Sequence, residues 1–192
     1  MLTQQRPDFK LLETMLWEAE SGIFLLDEHL QRLGKSAAYF DIPLEVYEIH
    51  SELEQVFLTL KKVDHKIRLL VSRDGVFEVQ TFPMCSNASP PEGGKAFCAD
   101  GDRFPPGGRG NDTTPLRIGL AKEPINSKDM FLFHKTTHRA VYESAFAKAT
   151  EDKKADDVIL WNERGEVTEG CIANIVIRKN GKLITPPVEC GL

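Results

Sequence analysis

Between Cys85 and Pro115 this 192-residue chain loses all hydrophobic periodicity. The stretch "CSNASPPEGGKAFCADGDRFPPGGRGNDTTP" is rich in Gly, Pro, Ser and Asp. Glycine loses the most entropy on ordering and proline removes a backbone donor, so such a run favours turns and irregular chain. Each flank therefore has to bury its own apolar pattern. The boundaries that follow are 1–84 for a small α+β N-terminal subdomain, 85–115 for an inserted loop or linker, and 116–192 for part of a larger α+β C-terminal subdomain. Gly107-Gly108-Arg109-Gly110 lies inside the insert with no strand before it and no helix pattern after it, which speaks against a phosphate loop.

In the first flank, "FKLLETMLWEAESGIFLL" reads as two short strands about a Glu18–Gly22 turn. Asp27 is the expected N-cap of "EHLQRLGKSAAYF", where Leu30, Leu33, Ala37 and Phe40 share one helical face. Pro43 opens a second helix with Val46, Ile49, Leu53, Val56 and Leu60 at steps of three and four. "KIRLLVS" and "GVFEVQTF" flank Arg73-Asp74-Gly75, a hairpin signal. In the second flank, "LRIGLA" reads as a strand and Met130–Phe133 as an apolar run of strand character. A helix is expected from about Thr136 to Thr150, then strands at Val158–Trp161, Ile172–Ile177 and Leu183–Thr185 in an antiparallel sheet. Turns fit Asn162–Gly165 and Lys179-Asn180-Gly181.

A net charge of -5 without a basic patch argues against nucleic-acid binding. No run approaches the length of a membrane span, and the N-terminus lacks an apolar signal core, so a cytoplasmic location is expected. The four cysteines, Cys85, Cys98, Cys171 and Cys190, are irregularly spaced, which points to reduced thiols and to no metal site.

Three segments carry chemistry. In "MFLFHKTTHRAVYESAF", Lys135 follows an apolar run at the expected start of a helix. Desolvation by that run, the helix dipole, and the cations His134 and Arg139 would all favour a neutral, nucleophilic amine. The competing reading is a surface lysine. In "NERGEVTEGCIANIVI", Glu166 is expected in water, whereas Glu169 precedes a small apolar stretch and would be drawn inside. A buried carboxylate needs a partner, either a Lys or Arg of this chain or a ligand with a protonated nitrogen. In "DEHLQRLGKSAAYF", Arg32 borders the Leu30/Leu33 stripe, where it could bind a phosphate or carboxylate or make an ordinary salt bridge. The adjacent His29 reads as structural.

Together "HLQRLGKSA", "HKTTHRAVY", "DVILWNERGEVTEGCIANIVI" and "GKLITPP" resemble the class IV aminotransferases, the pyridoxal-phosphate proteins of fold type IV. The string Thr168-Glu169-Gly170-Cys171-x-Ala173-Asn174 downstream of Lys135 is its most specific part. "LLETMLWEAESGIFLLDEHLQRLGKSAAYFDIP" and "HKTTHRAVY" are most similar to the 4-amino-4-deoxychorismate lyases, in particular those fused behind aminodeoxychorismate synthase component I. The resemblance implies a two-subdomain, D-amino-acid aminotransferase-like fold. It also implies that Lys135 forms the Schiff base with pyridoxal 5'-phosphate, that Glu169 faces the pyridine nitrogen, and that Arg32 pairs with the phosphate. Asn174 and the backbone of Cys171–Ala173 would shape the pocket. Arg139 would assist the cofactor or a substrate carboxylate, or else pair with Glu143 one helical turn on. Cys171 would be a small packing residue. A homodimer is implied, with possible fusion to or association with the synthase component. In the family a glycine- and threonine-bearing loop and a final helix follow the point matching "PPVECGL", so the second subdomain is expected to be C-terminally truncated. The implied activity is folate-pathway lyase chemistry, yielding 4-aminobenzoate and pyruvate. The alternatives are a branched-chain or D-amino-acid aminotransferase and a non-catalytic fragment.

Overall fold

A computed structural model describes residues 7–60, 63–84, 117–150 and 155–191. The expected insert, with Cys85 and Cys98, lies outside the described residues. The chain divides into two units. One takes in the described residues up to Met84 together with His134–His138, and the other takes in the rest. No described helix is long and apolar enough to cross a membrane.

The spine of the first unit is β1 (Leu11–Glu18), whose residues alternate between fully and partly buried. It folds back through a short turn onto β2 (Gly22–Ile23), pairing Trp17 with Ile23. Its long partner is β3 (His65–Val71), antiparallel from Leu11–Val71 to Trp17–His65, and β4 (Phe77–Pro83) completes the order β2-β1-β3-β4. The β3–β4 hairpin closes where the sequence indicates. Gly75 donates its N–H to the Ser72 carbonyl, and Asp74 Oδ1 accepts from the Val76 N–H.

Two helices cover the face that carries Glu13 and Trp17: α1 (Leu26–Tyr39) through Arg32, and α2 (Val46–Thr59) through Phe57. Leu30, Leu33 and Ala37 of α1 are buried as the spacing requires, and Phe40 packs edge-on against Phe9. In α2 only Ile49 and Leu53 of the expected stripe are fully buried, and Val46 is exposed. Asp27 does not cap α1. The chain enters the helix through Leu25 in the left-handed region (φ 57°), which leaves Asp27 and Glu28 in the first turn. There they still complement the helix dipole.

In the second unit, β5 (Ile118–Leu120), β6 (Asp157–Trp161) and β7 (Val167–Gly170) form a sheet of that order. The expectation of an antiparallel sheet is corrected: β5 runs parallel to β6, with Ile118 opposite Asp157, and only β6–β7 is antiparallel. A parallel pair needs a long crossover, and the connection through two helices supplies it. Met130–Phe133 is not a strand but one helical turn, α3, started by the Asp129 carboxylate accepting the Phe131 N–H. Helix α4 (Ala140–Thr150) follows. Val158, Leu160, Leu132 and Cys171 form the core, with Tyr142, Ala145 and Phe146 of α4 against it. The expected Ile172–Ile177 strand is largely loop. The chain pairs again only at β8 (Ile177–Lys179), which forms a hairpin with β9 (Lys182–Ile184) around Asn180-Gly181.

The β3–β4 turn is the most tightly constrained backbone in the first unit. Gly75 has φ +85°, and a Cβ there would collide with the carbonyl oxygen of Pro43, which leads into α2. Gly75→Ala is expected to lower stability by roughly 1–3 kcal/mol. It should appear as a lower denaturation midpoint with an unchanged m-value.

Candidate active site

Lys135 is held by its backbone. Its carbonyl accepts from the Leu12 N–H at 2.9 Å, and Thr137 donates to the Lys10 carbonyl at 2.9 Å. The Thr137 hydroxyl accepts from the Lys10 N–H at 2.9 Å, and Thr136 bridges Leu11. Residues 134–138 thus lie along the free edge of β1 as an added strand. Two sequence expectations change as a result. Helix α4 starts at Ala140, not near Thr136, so Lys135 is not at a helix N-terminus. Phe131–Phe133 belong to α3 in the other unit and do not bury the amine, since Lys135 is exposed.

The neighbouring His134 supplies the side-chain anchor. Its ring stacks on Tyr39 at 4.3 Å and meets the edge of Phe40 at 4.9 Å, while Nδ1 lies 3.0 Å from Ser36 Oγ. Burial pulls its pKa below the usual imidazole range, so the ring is neutral at physiological pH.

Arg32 projects from α1 to β1. Its Nε donates to Glu13 Oε1 at 2.8 Å and one terminal nitrogen donates to Oε2 at 2.5 Å, a forked pair. His29 Nδ1 lies 2.8 Å from the same Oε2. Glu13 is only 1% exposed and Arg32 is 47% exposed, so the guanidinium has a buried edge and a wet one. The other terminal nitrogen makes no hydrogen bond among the described residues. Of the two sequence readings, the salt bridge is therefore present, and an outward edge remains for an anion. Burial alone would raise the Glu13 pKa, but the hydrogen bonds from Arg32 and His29 outweigh it and hold the carboxyl below its usual range.

In the second unit, Glu169 is half-buried on β7 between buried Thr168 and Gly170. Its Oε1 accepts from Tyr142 Oη at 2.7 Å. Arg139 does not pair with Glu143. Its guanidinium lies 4.5 Å over the Tyr142 ring and donates to the Cys171 carbonyl at 2.5 Å. Glu166 is exposed, as expected, on the β6–β7 turn. Cys171 packs in the core, and burial pushes its thiol up to about 12, so it is not a nucleophile.

The loop after β7 is shaped by Asp157, whose carboxylate accepts the N–H groups of Ile172 and Ala173 at 3.1 and 3.3 Å. A Cβ at Gly170 would come within 2.6 Å of both Asp157 and the Ala173 carbonyl, so only glycine fits. Asn174 is exposed at the end of this loop.

These side chains can do three things. An exposed amine on pinned backbone can condense with a carbonyl; a guanidinium with one open edge can bind an oxyanion; an oriented carboxylate can meet a protonated nitrogen. That donor set fits the aldehyde, phosphate and pyridine nitrogen of pyridoxal phosphate. A pocket of about 580 Å³ in the first unit, lined by Asp8, Lys10, Ser72, Arg73, Asp74 and Thr137 around Phe9, includes none of the three. Sequence reasoning missed Glu13, Tyr142 and Asp157. Glu13 was detectable as a lone acid inside the apolar alternation of β1, and Tyr142 as the i+3 neighbour of Arg139.

Glu13 has its pKa depressed by folding. Its contribution is therefore complete above its ordinary value of 4.5 and is lost as pH falls through the folded value. Glu13→Gln is expected to cost roughly 1–3 kcal/mol near neutrality and to flatten the decline of stability below pH 4.5. Urea titrations across that range would measure both.

The profile described as amino-transferase class IV matches residues 10–192. A protein of Schizosaccharomyces pombe, provisionally named an aminodeoxychorismate lyase, is 30% identical over 186 residues, covering 95% of this chain and 68% of its own. The crystal structure of a provisionally named amino-acid aminotransferase from Mesorhizobium loti superposes with a TM-score of 0.72 at 30% identity, over 96% of this chain and 78% of that one. A hypothetical aminotransferase from Mycobacterium tuberculosis, in its PLP-bound form, shares the fold with a TM-score of 0.66 at 20% identity, over 100% of this chain and 65% of its own. The fold is type IV of the pyridoxal-phosphate proteins, and the chain belongs to the class IV aminotransferase family.

Proposed function

We propose that this chain is a pyridoxal-phosphate lyase that converts 4-amino-4-deoxychorismate to 4-aminobenzoate and pyruvate. The observation that carries the reading is the identity with the fission-yeast protein, spread over 95% of this chain. The residues present suit the chemistry. Lys135 binds the cofactor's aldehyde carbon, Arg32 takes its phosphate on the open edge of the guanidinium, and Glu169 holds the proton on the ring nitrogen. When bound, the cofactor supplies an electron sink for charge that develops on the substrate.

The Lys135 amine would be the base that removes the proton from the substrate carbon bearing the amino group. The ether bond to the enolpyruvyl group then breaks, the carbocycle becomes aromatic, and the departing enol takes a proton to become pyruvate. Anchoring of Lys135 through backbone bonds, and of His134 between rings, fixes the place from which that amine acts. This reading also assigns Asn174 to the cofactor pocket and Arg139 to the cofactor or a substrate carboxylate. The same reading makes the working form a cytoplasmic homodimer, and extends to fusion to or association with aminodeoxychorismate synthase component I.

A second reading, an aminotransferase acting on amino acids, is favoured by the Mesorhizobium loti structure. The two readings use the same lysine and differ in where its proton goes. The chain supplied with pyridoxal phosphate and 4-amino-4-deoxychorismate is expected to release pyruvate with no keto acid present. Turnover only while a keto acid is consumed would overturn the lyase reading. Lys135→Ala is expected to abolish the visible absorption of the bound cofactor and to lower turnover on the order of a thousandfold or more.

A further inference from the structure

Glu169 does not stand by itself. Arg139 is fixed at one end by the Cys171 carbonyl (2.5 Å), its guanidinium covers the face of Tyr142 (4.5 Å), and the tyrosine hydroxyl donates to Glu169 Oε1 (2.7 Å). All four groups lie in the second unit, two on α4 or at its start and two on the β7 end. The phenol meets the carboxylate in a half-buried setting, where a charge-assisted hydrogen bond is stronger than in water. Burial, reinforced by the Glu169 charge, pushes the Tyr142 pKa far above its usual value. The hydroxyl therefore stays protonated near neutrality and donates to Glu169.

We propose that Tyr142 is a positioning residue that orients the Glu169 carboxylate and favours its ionised form, with Arg139 holding the tyrosine ring in place. This rests on the reading of Glu169 as the partner of the cofactor's ring nitrogen. A neutral donor fixes the direction of the carboxylate without cancelling its charge, which a protonated nitrogen requires. Tyr142→Phe removes this donor and leaves the ring and its packing in place.

The test compares two ligands in equilibrium titrations of the full chain: pyridoxal phosphate, and its 1-deaza analogue, in which the ring nitrogen is a C–H group. Wild type is expected to prefer pyridoxal phosphate, and Glu169→Gln is expected to lose most of that preference. Tyr142→Phe is expected to reduce the preference roughly three- to tenfold, and the double variant is expected to lose no more than Glu169→Gln alone. A purely structural tyrosine would weaken both ligands equally, and that result, or an unchanged preference in Tyr142→Phe, overturns the proposal. A wild type without preference, or a Glu169→Gln variant that retains it, overturns the reading of Glu169 itself and the proposal with it. Unfolding midpoints establish that each variant is folded. Should Tyr142→Phe not fold, Arg139→Lys, which loosens the hold on the ring, is expected to reduce the same preference about twofold, and no reduction would count against the proposal.

Discussion

Backbone hydrogen bonds between residues 134–138 and the edge of β1 fix the position of Lys135, on which the proposed chemistry turns. A strand edge is an open row of donors and acceptors, and it must be satisfied by something. Here β2 satisfies only the far end of β1, and the segment carrying Lys135 satisfies the near end. Because the backbone of Lys135 and Thr137 is bonded to β1 and Thr136 bridges it, α4 begins only at Ala140. The main chain of Lys135 is thus held by β1.

The first unit also explains how a guanidinium on an exposed helix face can be kept ready. Arginine carries much rotamer entropy, and an anion that bound a free arginine would have to order it. Glu13 removes that cost in advance by clamping one edge of the fork from inside the sheet. The buried carboxylate is tolerable only because two donors meet it, one of them formally charged. A carboxylate in the middle of β1 would otherwise weaken the core that Leu11, Met15 and Trp17 form around it.

What could be read from the chain follows from what is local. Strand alternation in β1, the Asp74-Gly75 turn and the α1 stripe are set by neighbours within a few residues, and the structure matches the sequence there. The start of α4, the parallel sense of β5 and the loop from Ile172 to Val176 depend on partners far away in sequence: β1 for the first, β6 for the second, the Asp157 carboxylate for the third. No window around those residues contains the group that decides them. The same holds for the site. Lys135, Arg32 and Glu169 stood out by residue type and resemblance, whereas Glu13 and Tyr142 acquire their roles only through contacts across the fold. Lys135 is exposed for the same reason: the apolar residues just before it in sequence form a separate helical turn and do not cover the amine.

The two carboxylates contrast in a way that sorts scaffold from chemistry. Glu13 is met by Arg32 and His29, so its charge is largely spent inside the protein, and its pKa falls accordingly. Tyr142 brings Glu169 a hydrogen-bond donor and no charge of its own. A carboxylate matched to a cation stabilises a sheet. A carboxylate oriented by a neutral donor keeps its negative potential and can stabilise positive charge on a bound group. Under the role proposed for Glu169, the tyrosine hydroxyl orients the carboxylate without itself bringing a charge that would compete with a protonated ring nitrogen.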